Sequence, residues 1–389
     1  MHRRTLILLI ALGVVVRVAA SQSPVVRADG PPAWGPGVRL VPLGVLGTLN
    51  GPPEYALASV RLFAATGQGD FYLYDGQATQ VRHYAADGTF LRNIGREGSG
   101  PGEYRDLLGL ALDGDSLLVT WDPRNRRVTY FGTDGTLRRS FLPQIPSVLF
   151  GADVFEVDAQ RRVIIQVDAR EETNVYMRFA PDGTVIDTLR GSTAGEQGFM
   201  VNSPEGARYT FVRKLLAKPT PLGGLLRGST RTLGFTVDLA GRTRTVERRT
   251  TEIPLDPVER AEWERVVTVV NTRPNRGSAP LLRIPGTKPA MRGFFGDRDG
   301  RVWLDTYTRA EVRAASPAEA GRARITRFER ATFEVFGVDG RYLGRIVLPV
   351  GHALLEARGD RLWSYTSGPD DEIRVAFYRI VTAAGQPVP

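Results

Sequence analysis

The chain has 389 residues, enough for one large repeat domain or two or three ordinary ones, and its 42% hydrophobic content suits a packed core and argues against disorder. With 43 Gly and 26 Pro, many short strands joined by turns are favoured over long helices. There is no cysteine, so disulfides are excluded, as is a lipid anchor that needs a cysteine after the leader. The net charge of +9 falls to +6 once Arg3, Arg4 and Arg17 leave with that leader. The remaining Arg residues are interspersed with acids along the chain, with no basic tail, so nucleic acid is not an expected partner.

The leader comes first. His2-Arg3-Arg4 is a basic start, Thr5 to Val16 an apolar run, and Val18-Ala19-Ala20 offers small residues for cleavage after Ala20. The run is shorter than the about 20 residues that span a bilayer. Residues 1–20 are therefore expected to be a signal peptide and 21–37 a flexible lead-in. The mature chain is expected to be exported, to the periplasm or the medium, with no membrane span.

Val38 to Leu46 reads as a strand, followed by the linker Gly51-Pro52-Pro53-Glu54-Tyr55. The linker returns 49 residues later as Gly100-Pro101-Gly102-Glu103-Tyr104. Between and beyond them a hairpin repeats, as an aromatic-bearing strand, a turn ending in Asp-Gly, and a second strand. The Asp-Gly steps fall at Asp87-Gly88, Asp134-Gly135 and Asp182-Gly183, intervals of 47 and 48 residues. A degenerate copy follows at Asp238-Leu239-Ala240-Gly241, then Asp339-Gly340, and Ala384-Gly385 closes a series of six. Asp-Gly between apolar runs is a hairpin signal because tight turns need positive φ. The stretches Asp70–Asp75, Ser116–Asp122, Arg162–Asp168, Arg301–Asp305 and Arg361–Tyr365 each precede such a hairpin. A period of about 40–50 residues is that of a four-stranded propeller blade.

Strand, hairpin and Gly-Pro-Gly-Glu-Tyr linker together resemble the NHL repeat and the bacterial secreted proteins called six-bladed β-propellers. The match is densest over Phe71 to Phe141 and weakest over residues 191 to 330. The resemblance implies an all-β, six-bladed propeller of four-stranded antiparallel blades spanning residues 38–389. It does not imply an activity, because this architecture hosts many. The strand at Val38 to Leu46 has no blade of its own. It is expected to complete the last blade beside Arg374 to Ile380, closing the ring and removing sheet edges.

With strands a to d numbered outward from the channel, a–b and c–d connections share one face, and b–c and d–a connections the other. Insertions are expected at about 214–231, 250–290 and 306–330, in blades four and five, all on the b–c/d–a face. The second should hold a helix capped by Asp256, with Pro257 in its first turn, Glu259 completing a capping box, and Val258, Trp263, Val266, Val267 and Val270 as an apolar stripe. Loops gathered on one face of a rigid scaffold are where binding sites usually lie.

No catalytic constellation emerges. His83 and His352, the histidines left after export, have no second histidine at ligand spacing, and no G-x-S-x-G elbow occurs. Gly95 to Gly102 resembles a phosphate loop but leads into a strand at Leu107 to Asp113, as an interblade linker would. Asp122, Asp168 and Asp305 close equivalent b strands, either as a carboxylate ring for calcium or magnesium or as caps of the following turn. No cofactor is expected. Arg124, Arg126, Arg127, Arg170 and Arg309, in b–c connections, and Trp263 on the helix are the candidate ligand-binding residues. The expected function is a non-catalytic scaffold for a peptide, glycan or protein ligand. The alternative is a calcium- or magnesium-dependent hydrolase or lyase of the lactonase kind, to which related propellers belong.

Overall fold

A computed structural model describes residues 25–146, 154–170, 173–196, 200–203, 206–209, 211–272, 283–312, 326–368 and 370–389. The leader expected at residues 1–20 lies outside the described residues. The rest is a six-bladed propeller of four-stranded antiparallel sheets with one helix among the described residues. Blade one is Leu62–Ala65, Phe71–Asp75, Gln80–Tyr84 and Phe90–Ile94; blade two is Gly109–Asp113, Leu117–Asp122, Arg127–Gly132 and Leu137–Phe141. Blade three is Phe155–Val157, Val163–Arg170, Thr173–Phe179 and Val185–Ser192; blade four is Leu215–Pro219, Leu225–Ser229, Gly234–Leu239 and Arg242–Glu247. Blade five is Met291–Gly296, Arg301–Thr306, Thr332–Gly337 and Tyr342–Val347; blade six takes Ala353–Arg358, Arg361–Ser367 and Ile373–Val381 as strands a to c.

Strands b and c are apolar on both faces because each blade is sandwiched between two others. The core is accordingly six clusters, one per seam. Tyr72, Tyr74, Ile94 and Tyr104 meet Leu112, Leu118 and Phe131 between blades one and two. Trp303, Phe333 and Ile346 meet Leu362, Tyr378 and Ile380 between blades five and six. The thinnest seam joins blades three and four, with Ile164, Tyr176 and Leu225 as its fully buried members. Polar bonds reinforce it: the Tyr176 hydroxyl donates to the Ala217 carbonyl at 2.8 Å, and Ala159 N–H to the Pro221 carbonyl at 2.7 Å.

The Asp-Gly repeat has a two-part cause. In all four copies the aspartate Oδ1 accepts the N–H two residues on, at 2.9–3.0 Å, in an Asx turn. The glycine then takes φ of +84° to +94° while lying against the preceding blade: Gly88 on Phe377, Gly135 on Ile94, Gly183 on Phe141 and Gly340 on Val246. The turn thus sets hairpin and seam together. In blade four Ala240 and Gly241, both at positive φ (50° and 72°), make a two-residue turn instead, which needs no Asx bond.

The N-terminal segment closes the ring. Arg39–Leu46 is strand d of blade six, antiparallel to strand c with Leu40 opposite Ile380 and Leu46 opposite Val375. The Ala384-Gly385 turn is present and folds the last residues back, Val388 N–H bonding the Ile380 carbonyl, but the fourth strand comes from the other end of the chain. Of the stretch 21–37 expected to be a flexible lead-in, the described residues from Val25 on are bound to the blades. Val25–Arg27 adds a parallel strand outside blade four, and Trp34, 3% exposed, donates its N–H to the Leu343 carbonyl on blade five. A strap therefore crosses the outer edges of blades four, five and six. It forms because the outer strands offer unpaired edge groups and the blade-five/six seam offers a cavity for the Trp34 ring.

The insertions at 250–290 and 306–330 are d–a and b–c connections as expected. The expectation at 214–231 is overturned, since Leu215–Pro219 and Leu225–Ser229 are strands a and b of blade four. Both strands are five residues long and lack the aromatic residues that mark the b strands of blades one, two, five and six. The insertion lies just upstream, between Ser192 and Leu215, and as a d–a connection it falls on the same face.

Gly183→Ala forces a Cβ to 2.7 Å from Phe141 at φ +94°, whereas Gly241→Ala, at φ +72°, meets nothing within 4 Å. Urea denaturation should show Gly183→Ala losing roughly 2–4 kcal/mol and Gly241→Ala about 1 kcal/mol. Equal losses would refute the seam role of the repeat glycine.

Candidate functional site

The three insertions build one cap. Phe211 from the first, Leu255, Trp263 and Ile284 from the second, and Tyr307 from the third share a small hydrophobic core. Phe211 and Trp263 meet edge to face at 5.7 Å, and Phe211 N–H donates to the Tyr307 hydroxyl at 3.2 Å. The helix α1, Pro257–Asn271, starts as the sequence indicates, with Asp256 Oδ1 accepting the N–H groups of Val258 at 2.9 Å and Glu259 at 3.2 Å. Its buried stripe differs from the expected one. Val258 is 45% exposed, while Glu259 and Glu262 are 2% and 3% exposed and lie on the inner face beside Val267.

Those glutamates are fastened. The Glu262 carboxylate accepts the N–H groups of Thr326 at 2.9 Å and Arg327 at 3.1 Å from the third insertion. Glu259 pairs at 2.7 Å with the buried Lys288 ammonium, which also reaches Glu329 at 3.0 Å; Arg292 binds Glu329 at 2.6 Å and Asp305 at 3.1 Å. The Arg292 guanidinium lies 4.0 Å over the Tyr307 ring. Burial pushes the Glu259 carboxyl up, with Lys288 pulling it back; Glu329, flanked by Arg292 and Lys288, is held below the usual range despite its burial. Removing one member would strand a buried charge, at a cost of roughly 3–5 kcal/mol. The cap is therefore a rigid wall on blades four and five.

The a strands enclose the channel, which holds a cavity of about 160 Å³ towards its a–b end, away from the cap. Its lining is mostly small or apolar, with Ala64, Ala65, Ala111, Leu112, Phe295 and Leu355 among its residues. Four charged groups break that surface: Glu156 from blade three, Glu356 from blade six, and Asp297 and Arg298 from the a–b turn of blade five. Arg298 donates to the Val157 carbonyl across the channel at 3.2 Å. Burial pushes the Glu156 carboxyl up to about 7, against the pull of Arg298. Burial, then the neighbouring Glu156, pushes Glu356 up to about 8. Asp297 is spent on Arg301 and the Trp303 indole, the latter at 2.7 Å. Chemically the channel can hold and release protons near neutrality, or take a hydrogen-bond donor between two carboxyls.

The sequence candidates do not converge. Arg126 donates to the Ile145 carbonyl at 3.2 Å and Arg127 to the Gly100 carbonyl at 2.7 Å, so both staple loops. Arg124 is 57% exposed and 3.5 Å from Asp106. Arg309 is exposed on the third insertion. Arg170 ends strand b of blade three, and its side chain lies outside the described residues. Trp263 is a core residue of the cap. Asp122 caps its turn, accepting from Arg124 N–H at 2.9 Å and Asn125 N–H at 3.1 Å, and ties in the linker through Arg105 N–H at 2.7 Å. Asp305 faces Arg292 instead. Among the described residues no three His, Cys, Asp or Glu side chains group to hold a metal.

The loop Gly95 to Gly102 is a linker. The Glu103 carboxylate fills the place of an anion, accepting Gly100 N–H at 2.7 Å and the Arg96 guanidinium at 2.8 Å. Tyr104 then plugs the seam, accepting Val81 N–H and donating to the Ile94 carbonyl, both at 2.9 Å.

Sequence reading missed Glu156 and Glu356. The available signal was a lone glutamate inside an otherwise apolar strand, in Phe155-Glu156-Val157 and Leu354-Leu355-Glu356-Ala357.

No protein-family model and no curated protein matches the sequence. Among solved structures, the chain is similar to a protein described as exported, from Bacteroides fragilis, at 10% identity and TM-score 0.50, covering 92% of this chain and 99% of that one. A DUF4221 family member from Bacteroides vulgatus gives 11% identity and TM-score 0.49, covering 89% and 99%. A gluconolactonase from Xanthomonas campestris gives 14% identity and TM-score 0.41, covering 92% and 99%. At 10% identity the likeness to the Bacteroides fragilis protein bears on the propeller fold alone.

Because both channel glutamates titrate above the 4.5 of an unfolded glutamate, the folded state binds more protons and stability falls as pH rises from about 4.5 through 8. Glu156→Gln/Glu356→Gln should leave the melting temperature unchanged at pH 5 and raise it by roughly 2–4 °C at pH 8. Calorimetry at both pH values checks this, and a pH-independent difference would contradict it.

Proposed function

We propose that this is an exported, non-catalytic binding protein that takes a peptide, glycan or protein ligand on the cap-bearing face, over the channel. The observation that supports this most strongly is the cap itself. Three segments separated in sequence share one core on a single face, and the second and third also share a buried ionic network with blade five. Insertions that merely accumulated would have no reason to pack on one another. Arg124 and Arg309 are the candidate arginines with exposed heads there, suited to carboxylate or acidic-sugar groups. Export is supported by the leader pattern over residues 2–20 and by the similar exported protein. Among the described residues no helix is long and apolar enough to cross a membrane. The Asp-Gly hairpins and the linker tyrosine favour the NHL kind of propeller.

The rival reading, a metal-dependent hydrolase or lyase, is disfavoured by the donor set. Two glutamates converge on the channel cavity, and the Arg298 guanidinium among them opposes a divalent cation.

Peptide and glycan arrays probed with the labelled mature chain are expected to give ligands whose affinity falls about tenfold, ~1.4 kcal/mol, in Arg124→Glu/Arg309→Glu. A lactone and ester screen with added calcium or magnesium should show no turnover. Turnover that disappears in Glu156→Gln/Glu356→Gln would overturn the proposal in favour of the enzyme.

A further inference from the structure

On the opposite face, between blades one and two, lies a second pocket of about 320 Å³. Its walls are the a–b turn of blade one, the inner strands behind it, and the a–b and c–d turns of blade two. The pocket collects unsatisfied polar atoms. Thr66 Oγ1 and the Tyr72 hydroxyl are buried without a hydrogen-bond partner, the His83 ring nitrogens and Asp115 Oδ1 make no well-formed hydrogen bond although Asp70 and the Thr133 backbone flank His83 and Arg358 flanks Asp115, and all four residues line it. Thr66, Tyr72 and His83 are 4%, 0% and 4% exposed. Native proteins rarely leave such atoms unpaired, and here they share one void.

The arrangement is built rather than loose. The His83 ring stacks on Tyr72 at 4.2 Å and 15°, fixing both polar edges. His83 Nε2 sits 3.6 Å from Asp70 Oδ2, too far for a hydrogen bond. Asp115 Oδ2 accepts Gly67 N–H at 3.0 Å, while its other oxygen lies 3.5 Å from Arg358 Nη2. Arg92 is anchored by its bond to the Asp134 carbonyl at 2.9 Å and closes the outer side.

The lining selects a chemistry. Asp70, Asp115 and Asp134 oppose an anion. An organic cation, which only donates, would leave the Tyr72 and Thr66 hydroxyls without an acceptor. A neutral ligand whose groups both donate and accept satisfies all of them. The volume, about ten times a water's share of liquid, suits one ring of a sugar and is at the low end of ligand pockets. We infer that the blade-one/blade-two pocket is a binding site for a single neutral saccharide unit or comparable cyclic polyol, held by Tyr72, His83, Thr66 and Asp115. This inference does not rest on the cap-face proposal and concerns the other face.

His83 supplies the reporter, because the whole sequence has three histidines and one belongs to the leader. The His83 ring signals, assigned with His352→Gln, would be followed by NMR while neutral hexoses, cyclitols, simple carboxylates and alkylamines are titrated to tens of millimolar. The expected result is a saturable shift with a neutral sugar or cyclitol, weakened about tenfold in Tyr72→Phe and in Asp115→Asn. Tyr130→Phe, which removes an unpaired buried hydroxyl at another position, should leave it unchanged. Saturable binding of only the amine or the carboxylate, no saturable shift at all, or sugar binding indifferent to Tyr72→Phe would each overturn the inference, the second meaning that water alone fills the pocket. Loss of array ligands in Arg124→Glu/Arg309→Glu with the His83 titration intact would separate the two faces.

Discussion

The hydrogen bonds between Arg39–Leu46 and Ile373–Val381 hold the two ends of the chain in one sheet. Without them blade six would be a three-stranded sheet with an open edge, and the blade-five/six and blade-six/one seams would lose their outer cover. A propeller is stabilised blade against blade, so each seam needs both neighbours at full width. The strap that leads into this strand, from Val25 along blade four and past Trp34 on blade five, extends the same closure over half of the outer rim.

Ring closure also positions the chemistry. The channel exists because six a strands face one another, and Glu156 and Glu356, on blades three and six, are opposite members of that ring. Each would be an ordinary surface glutamate on an open sheet. In the closed ring they share a small apolar cavity with one arginine, and burial moves both toward neutral pH. The cap works differently. It stands on blades four and five and is held by its own core and ionic network.

Much of this was legible in the chain. Asp-Gly at 87, 134, 182 and 339 gave hairpins and period, because a turn that needs positive φ and an Asx bond leaves few residue choices, and the copies at Ala240-Gly241 and Ala384-Gly385 brought the count to six. Asp256 and Pro257 marked the helix start for the same local reason. The blade-four hairpin at Ala240-Gly241 was legible as a degenerate copy, but strands a and b of that blade were misread as an insertion because Leu215–Pro219 and Leu225–Ser229 lack aromatic signals. The strap was invisible because Trp34 and Val25–Arg27 depend on a groove and an edge formed by residues 200 or more positions away. The channel carboxyls and the His83 pocket arise the same way: their meaning lies in which blades face each other, and a single sequence does not print seams. Arg126 and Arg127 were legible as charged residues, whereas their tasks as loop staples depend on carbonyls brought in from Ile145 and Gly100.

The closure can be tested with a covalent probe, since the chain has no native cysteine. Val41 and Arg379 are directly paired between the N-terminal strand and strand c of blade six. Cysteines at both positions should cross-link on mild oxidation, because paired strand neighbours fall within disulfide reach. The oxidised protein should then melt well above its reduced form. A pair that stays reduced under oxidant, or cross-links only between molecules, would contradict the closed ring on which the channel and both faces depend.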